Sequence, residues 1–206
     1  MAIVLSGTAL STDLARIRGK STDIEVFRGA VHRIGLHLAA ETLRHLPAKA
    51  VEVETPLETT SCDVVEGAVV LVPILRAGLG LLNPFLEILP SASVGFIGLK
   101  RNEETLEPYE YYHNLPPTTD STTFVVIDPM LATGGSMLAT LKHLQGLPHQ
   151  RILASCLIAA PEGVTRVEDE FPNIGLVVAA LDRELNSSGY ILPGLGDAGD
   201  RLFGTI

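Results

Sequence analysis

A chain of 206 residues, 46% of them hydrophobic and 19% charged, has the length and apolar content of one globular domain, which excludes a disordered or low-complexity polypeptide. A net charge of −9 argues against a nucleic-acid surface, because such surfaces set Lys and Arg against phosphates. Cys62 and Cys156 form no Cys-x-x-Cys pair, so neither a disulfide framework nor a zinc site is suggested, and reduced cytoplasmic thiols are expected. Met1–Leu10 has no basic leader, and the longest apolar run, Ala68–Leu75, is too short to span a bilayer and contains Pro73. A soluble protein that does not engage a membrane is therefore expected. Asn186-Ser187-Ser188 matches a glycosylation acceptor, which is idle without a secretory signal.

In chain order, Leu14 and Ile17 suit one face of a short helix within Ser6–Lys20. Ile24, Phe27, Val31, Ile34 and Leu38 recur every three or four residues, predicting an amphipathic helix from about Ser21 to Leu46, stopped by Pro47. Ala50–Thr55 alternates Val with Glu and reads as a half-buried, peripheral strand. Ala68–Val72 is apolar on both faces and belongs in the middle of a sheet. It leads through Arg76 into a helix carrying Leu82, Phe85, Leu86 and Leu89. A guanidinium there faces the positive end of a helix dipole and is unfavourable unless an anion intervenes. The alternative is an exposed Arg whose stem covers apolar surface. Ser93–Leu99 predicts another strand, and the polar stretch Asn102–Pro116 a long loop of the functional kind. Its Glu103, Glu104 and Glu107 read as a solvated face, and Tyr109, Tyr111 and Tyr112 as packing or subunit contacts. The six histidines, His32, His37, His45, His113, His143 and His149, form no ligand-spaced pair and read as structural or surface residues.

The most informative stretch is Phe124–Ser136. Phe124–Ile127 is a buried strand, Leu138, Leu141 and Leu144 mark a helix, and Asp128–Ser136 is the turn between them. Gly134 and Gly135 let backbone wrap a ligand, Thr133 and Ser136 add hydroxyls, and the first helical amides complete an anion cradle. No Lys follows the glycines, so a triphosphate-hydrolysing Walker loop is disfavoured. Asp128, at the carboxyl end of the strand, suits two vicinal hydroxyls, so the expected ligand is a ribose phosphate. Downstream, strand Ile152–Ala160, helix Val164–Glu170 and strand Ile174–Leu181 continue a βαβ rhythm, predicting a mainly parallel sheet with right-handed crossovers. In the tail, Gly194, Gly196 and Gly199 argue against a regular helix and Pro193 against a strand, leaving a backbone-lined pocket.

Three stretches carry a family resemblance. Asp128-Pro129-Met130-Leu131-Ala132-Thr133-Gly134-Gly135-Ser136 is similar to the phosphoribosyl pyrophosphate (PRPP) loop of the uracil phosphoribosyltransferase family. Val72–Leu82 resembles the family's pyrophosphate loop, and Gly189–Thr205 its uracil-binding segment; Arg101–Pro108 also resembles its mobile arm. Lys100 stands where the family commonly has Tyr, and Gly7–Leu14 lacks the family's His-Pro-Leu. The resemblance implies an α/β fold with a mainly parallel central sheet flanked by helices, in one domain over residues 1–206. A β-rich arm would occupy about 101–117 and a base-binding hood about 182–206. It implies PRPP binding by Arg76, Arg101, Asp197 and Asp128 through Ser136, including Pro129, Met130, Leu131 and Ala132. Ile191, Gly196, Asp197 and Ala198 would bind uracil, whose N3–H and two carbonyls suit peptide groups, and the catalytic residues would be Asp128, Arg101 and Asp197. Asp200 and Arg201 would pair on the surface. Mg²⁺ is expected, held mainly by substrate oxygens, with Asp197 as the protein group nearest to it, rather than by a protein cage. Family members are dimers or tetramers and some respond to GTP or CTP, so a homo-oligomer and a GTP effector are further expectations. The expected reaction is uracil plus PRPP to uridine monophosphate (UMP) and diphosphate, with transfer to another base or a non-catalytic sensor as alternatives.

Overall fold

The computed structural model describes residues 1–101 and 108–205, with the backbone alone at positions 100, 101, 108 and 109. The chain runs β1 (Ile3–Val4), α1 (Thr8–Arg18), α2 (Ile24–Leu43), β2 (Ala48–Glu54), β3 (Thr59–Val65), β4 (Val69–Leu75), α3 (Leu79–Ile88), β5 (Ser93–Val94) and β6 (Phe96–Arg101). It continues with β7 (Pro108–Asn114), β8 (Thr123–Leu131), α4 (Gly135–Gln145), β9 (Arg151–Ala159), α5 (Pro161–Glu170), β10 (Gly175–Leu181), β11 (Glu184–Leu185), β12 (Ile191–Leu192) and α6 (Ala198–Phe203). The main sheet has the order β1-β10-β9-β8-β4-β6-β7, with β5 also on β4. Every pairing in it is parallel except β6 with β7.

The apolar runs read as buried strands are buried because both faces are covered. Leu71, Val125, Ile127, Leu153 and Val177 pack towards α1, α2 and α3, in one cluster with Ile17, Phe27, Ile34 and Phe85. Their neighbours Val70, Val72, Phe124, Val126 and Val178 pack on the other face with Met137, Leu141, Leu144 and Val167 of α4 and α5. Period-two alternation thus divides one hydrophobic strand between two cores, as expected of a parallel sheet with helices on each side.

The long predicted helix is α2. It starts three residues later than expected because Asp23 is its cap, its carboxylate accepting from Val26 N at 2.9 Å. The predicted Ala50–Thr55 strand needs correction. β2 is exposed along almost its whole length and pairs with β3 in a hairpin outside the main sheet. β3, Thr-Thr-Ser-Cys-Asp-Val-Val, is exposed throughout and has no apolar face to betray it. Gly95 divides the expected Ser93–Leu99 strand into β5 and β6. Within the expected loop Asn102–Pro116 the chain forms β7, antiparallel to β6. β8 continues to Leu131, so the turn after it is shorter than Asp128–Ser136.

The tail departs furthest from expectation. Asp197 caps a six-residue helix, α6, by accepting from Asp200 N at 2.9 Å, and Gly199 lies inside it. One capped turn tolerates the glycine that argued against a helix. β11 and β12 form a short hairpin that ends at Leu192, where Pro193 stops it as expected.

Candidate functional site

Parallel strands release their chains at one end of the sheet, and loops gather there. At the carboxyl end of β8 the chain turns through Gly134, at φ 78°, directly into α4. A side chain at that φ is strained, and a Cβ would sit 3.3 Å from the Gly163 carbonyl. Because the cap is glycine, no side chain occupies the first-turn N–H groups of α4, which remain available to an anion. Arg166 of α5 braces the turn from behind, donating to the Thr133 carbonyl at 3.2 Å.

The tail folds over this cradle. A cavity of about 350 Å³ is lined on one side by Asp128, Met130, Leu131, Ala132, Thr133, Gly134, Gly135 and Ser136, and on the other by Ile191, Gly196, Asp197 and Ala198. Residues predicted from two stretches more than fifty positions apart therefore face one hollow, of a size that suits a small ligand. Pro129 is buried on β8 and is not among the lining residues. Arg76 is not among them either, although Ala77 is. Its side chain is 61% exposed and its Nη2 lies 3.8 Å from Asp200 Oδ1, a contact worth little in water. Arg101 ends β6, but its side chain, like residues 102–107 of the expected arm, lies outside the described residues.

Asp128 has an unusual setting. Burial pushes its carboxyl up to about 7, opposed in part by a 3.3 Å hydrogen bond from Met130 N. Across the sheet, burial and the neighbouring Asp128 raise the Cys156 thiol well above its ordinary range, so this buried cysteine is inert.

Ser188, Gly189 and Tyr190, inside the expected hood but not singled out as site residues, also line the hollow. Asn186 Oδ1 accepts from Ser188 N and Tyr190 N, both at 2.9 Å, folding the β11–β12 loop over Thr133. The local signal is Asn-Ser-Ser-Gly, an Asx-turn sequence whose turn chemistry the motif reading did not use. One further expectation is corrected. Arg201 does not pair with Asp200: it donates to the carbonyls of Ile17, Gly19 and Leu195 and stacks 4.3 Å over Phe27. Three carbonyls and a ring face satisfy a guanidinium better than one exposed carboxylate, and burial lowers its pKa. Two of the histidines read as structural or surface residues join two elements, because Glu110 accepts from His113 at 2.6 Å and contacts His143 at 3.0 Å, linking β7 to α4. Tyr111 has no partner between the Gly98–Tyr112 and Leu99–Glu110 pairs, and this bulge puts Glu110 and His113 on one face. Sequence spacing does not reveal such a bulge.

Comparison with known proteins agrees with this geometry. The family model described as uracil phosphoribosyltransferase matches residues 4–205. The uracil phosphoribosyltransferase of Limosilactobacillus fermentum is 45% identical over 205 residues, 98% of this chain and 97% of that protein. That of Bacillus cereus is 47% identical over 190 residues, 92% of this chain and 91% of that one. Among solved structures, the AQ2163 protein from Aquifex aeolicus superposes with a TM-score of 0.90 at 38% identity, covering 98% of both chains. A purine phosphoribosyltransferase from Pyrococcus horikoshii, with a TM-score of 0.50 at 16% identity over 75% of this chain and 82% of that one, shares the fold alone. A match over nearly the whole chain, joined to a cradle and a tail that meet at one hollow, shows that the chain belongs to the uracil phosphoribosyltransferase family.

Proposed function

We propose that the chain transfers the phosphoribosyl group of PRPP to uracil, giving UMP and diphosphate. The observation that carries this reading is the shared hollow: the cradle Thr133–Ser136 and Asp128 on one wall, the peptide-rich segment with Ile191 and Gly196–Ala198 on the other. In the reaction the bond from the ribose anomeric carbon to diphosphate breaks, a bond to N1 of uracil forms, and the N1 proton is lost. Positive charge grows on the sugar and negative charge on the leaving group, so catalysis is chiefly positional and electrostatic.

Each role follows from the chemistry of the residue. Gly134, Gly135 and the amides at the start of α4 hold the 5′-phosphate, with hydroxyls from Thr133 and Ser136. Asp128 orients the ribose hydroxyls, and Asp197 faces the diphosphate. On family grounds, Arg76 and Arg101 neutralise the leaving group. Asp128 and Asp197 are oxygen donors of the type Mg²⁺ takes, so a substrate-borne Mg²⁺ fits this site. When bound, that ion supplies charge neutralisation at the diphosphate oxygens. A homodimer or homotetramer, a GTP effector and a cytoplasmic setting belong to the same proposal on family grounds. No helix among the described residues is long and apolar enough to cross a membrane.

Orotate transfer is the weaker alternative, because its carboxylate calls for a cation beside the base and, among the described residues, no Lys or Arg lines the hollow. Incubation of the protein with Mg²⁺, PRPP and labelled uracil tests the proposal: labelled UMP is expected. Binding of both ligands without turnover would favour a sensor instead, and turnover of another base in place of uracil would reassign the substrate.

A further inference from the structure

The segment proposed to read uracil contributes few polar side chains, so its selectivity depends on where its peptide groups point. What aims them comes from elsewhere in the chain. Asp182, just after β10, has a side chain only 4% exposed. Its Oδ1 accepts from Arg18 Nη2 at 2.5 Å, and its Oδ2 accepts from Arg18 Nη1 at 2.9 Å and from Gly194 N at 2.8 Å. Arg18 Nη1 also donates to the Gly194 carbonyl at 2.9 Å, across 176 positions. One ion pair thus grips both the N–H and the C=O of a residue midway between Ile191 and Gly196, which line the hollow. Gly194 itself stands at φ 60°, where a Cβ would run into the Ile191 carbonyl, so its peptide geometry is tightly specified.

The frame behind this grip is stiff. Arg18 is the last residue of α1, and α1 is locked to α2 by Asp13, which accepts from Arg33 at 2.7 and 2.8 Å and from Arg16 at 2.7 Å. Immediately beyond Gly194, the Leu195 carbonyl accepts from Arg201, which also reaches back to Ile17 and Gly19 at the end of α1. Neither Arg18 nor Asp182 is among the residues lining the hollow, and among the described residues neither is hydrogen-bonded to the phosphate cradle.

We infer that Arg18 and Asp182 are positioning residues for base recognition, acting through the Gly194 peptide on Ile191 and Gly196–Ala198. This deepens the proposed uracil site and rests on that reading. A bidentate guanidinium–carboxylate pair is suited to the task because both of its planes are fixed, and Lys has no such fork. If Arg18 is removed, the Gly194 carbonyl loses its donor and Asp182 is left buried without its counter-charge, so the loop re-forms around water. Misplacement by about 1 Å is enough to lower reactivity steeply, whereas the cradle, built on β8 and α4, is untouched.

Two readouts on Arg18→Ala, Arg18→Lys and Asp182→Asn test the inference. For Arg18→Ala, KM for uracil should rise about 10- to 100-fold, the effect of losing a charged hydrogen bond, while KM for PRPP stays within about twofold. Arg18→Lys, which keeps the charge but not the fork, should fall between that variant and wild type. In the ligand-free protein, the amides of residues 191–198 should exchange with deuterium at least about tenfold faster in Arg18→Ala, with residues 133–137 unchanged. An unaltered KM for uracil, two KM values rising together, or exchange that accelerates equally in both segments would overturn the inference. Should Arg18→Ala fail to fold, the Lys and Asn variants carry the same comparisons. Absence of UMP formation by the wild-type protein would refute the proposed function and not this inference, which the exchange comparison would still decide.

Discussion

The two walls of the hollow are built by opposite strategies. The cradle is local: a buried strand, a glycine turn and a helix start occupy consecutive residues, and the backbone makes the anion site there with little help from afar. The tail is short of regular structure and takes its shape from distant side chains, through Arg18 and Asp182 at Gly194, Arg201 at Leu195, and Arg28, which donates to the Leu202 carbonyl at 2.7 Å. A phosphate tolerates this division because every such ligand presents the same tetrahedral anion. A flat base needs a slot whose donors and acceptors face the right way, and a loop without a core has to be held in register by others.

The largest effects should come from the carboxylates at the hollow. Asp197→Asn keeps a residue that caps α6 equally well, so the melting temperature should change little, whereas kcat should fall about 100- to 1,000-fold. Retained turnover would remove Asp197 from the chemistry. Next is Gly134→Ala, which places a Cβ at positive φ against the Gly163 carbonyl. It should cost about 1–3 kcal/mol of stability by denaturant unfolding and raise KM for PRPP more than KM for uracil. Equal damage to both constants would contradict the independence of the two walls.

The cradle should carry a pH effect near neutrality. With its carboxyl at about 7 instead of the ordinary 3.8, folded Asp128 holds a proton that the unfolded chain has released between those values. Its contribution to stability is therefore greatest at low pH and declines as pH rises through that window. Sugar hydroxyls donate to the charged form, so PRPP binding should release this proton and weaken by up to about tenfold for each pH unit that the pH falls below 7. Calorimetry on wild type and Asp128→Asn separates this from titration of the ligand's own phosphates, and identical slopes for the two would refute it. The smallest effect should come from His113→Ala on the exposed β7–α4 link, about 0.5 kcal/mol or less in stability with turnover retained. A large loss of turnover would give that link a role this account lacks.

The same contrast decides what was legible in the sequence. The central strands and the cradle could be read because their signals are contiguous: Val69–Leu75 and Phe124–Ile127 are apolar on both faces, and Gly134-Gly135 directly precedes a helical stripe. The tail's glycines and Pro193 suggested a backbone-lined pocket, but only family likeness tied it to a base, and its construction was hidden. Glycines concealed α6, and Arg201 beside Asp200 suggested a local ion pair when its partners were three carbonyls, two of them more than 180 positions away. The polar β3 and the bulge at Tyr111 were hidden for a related reason. Their pairing partners, not their own residue patterns, determine them.

The central claim is that one ligand touches both walls, and deuterium exchange with and without product tests it most directly. UMP should protect the amides of residues 133–137 and of 189–198 together, whereas ribose 5-phosphate should protect only the first group. Protection by UMP confined to either segment would mean that phosphate and base are not read in one hollow, and the account would fail.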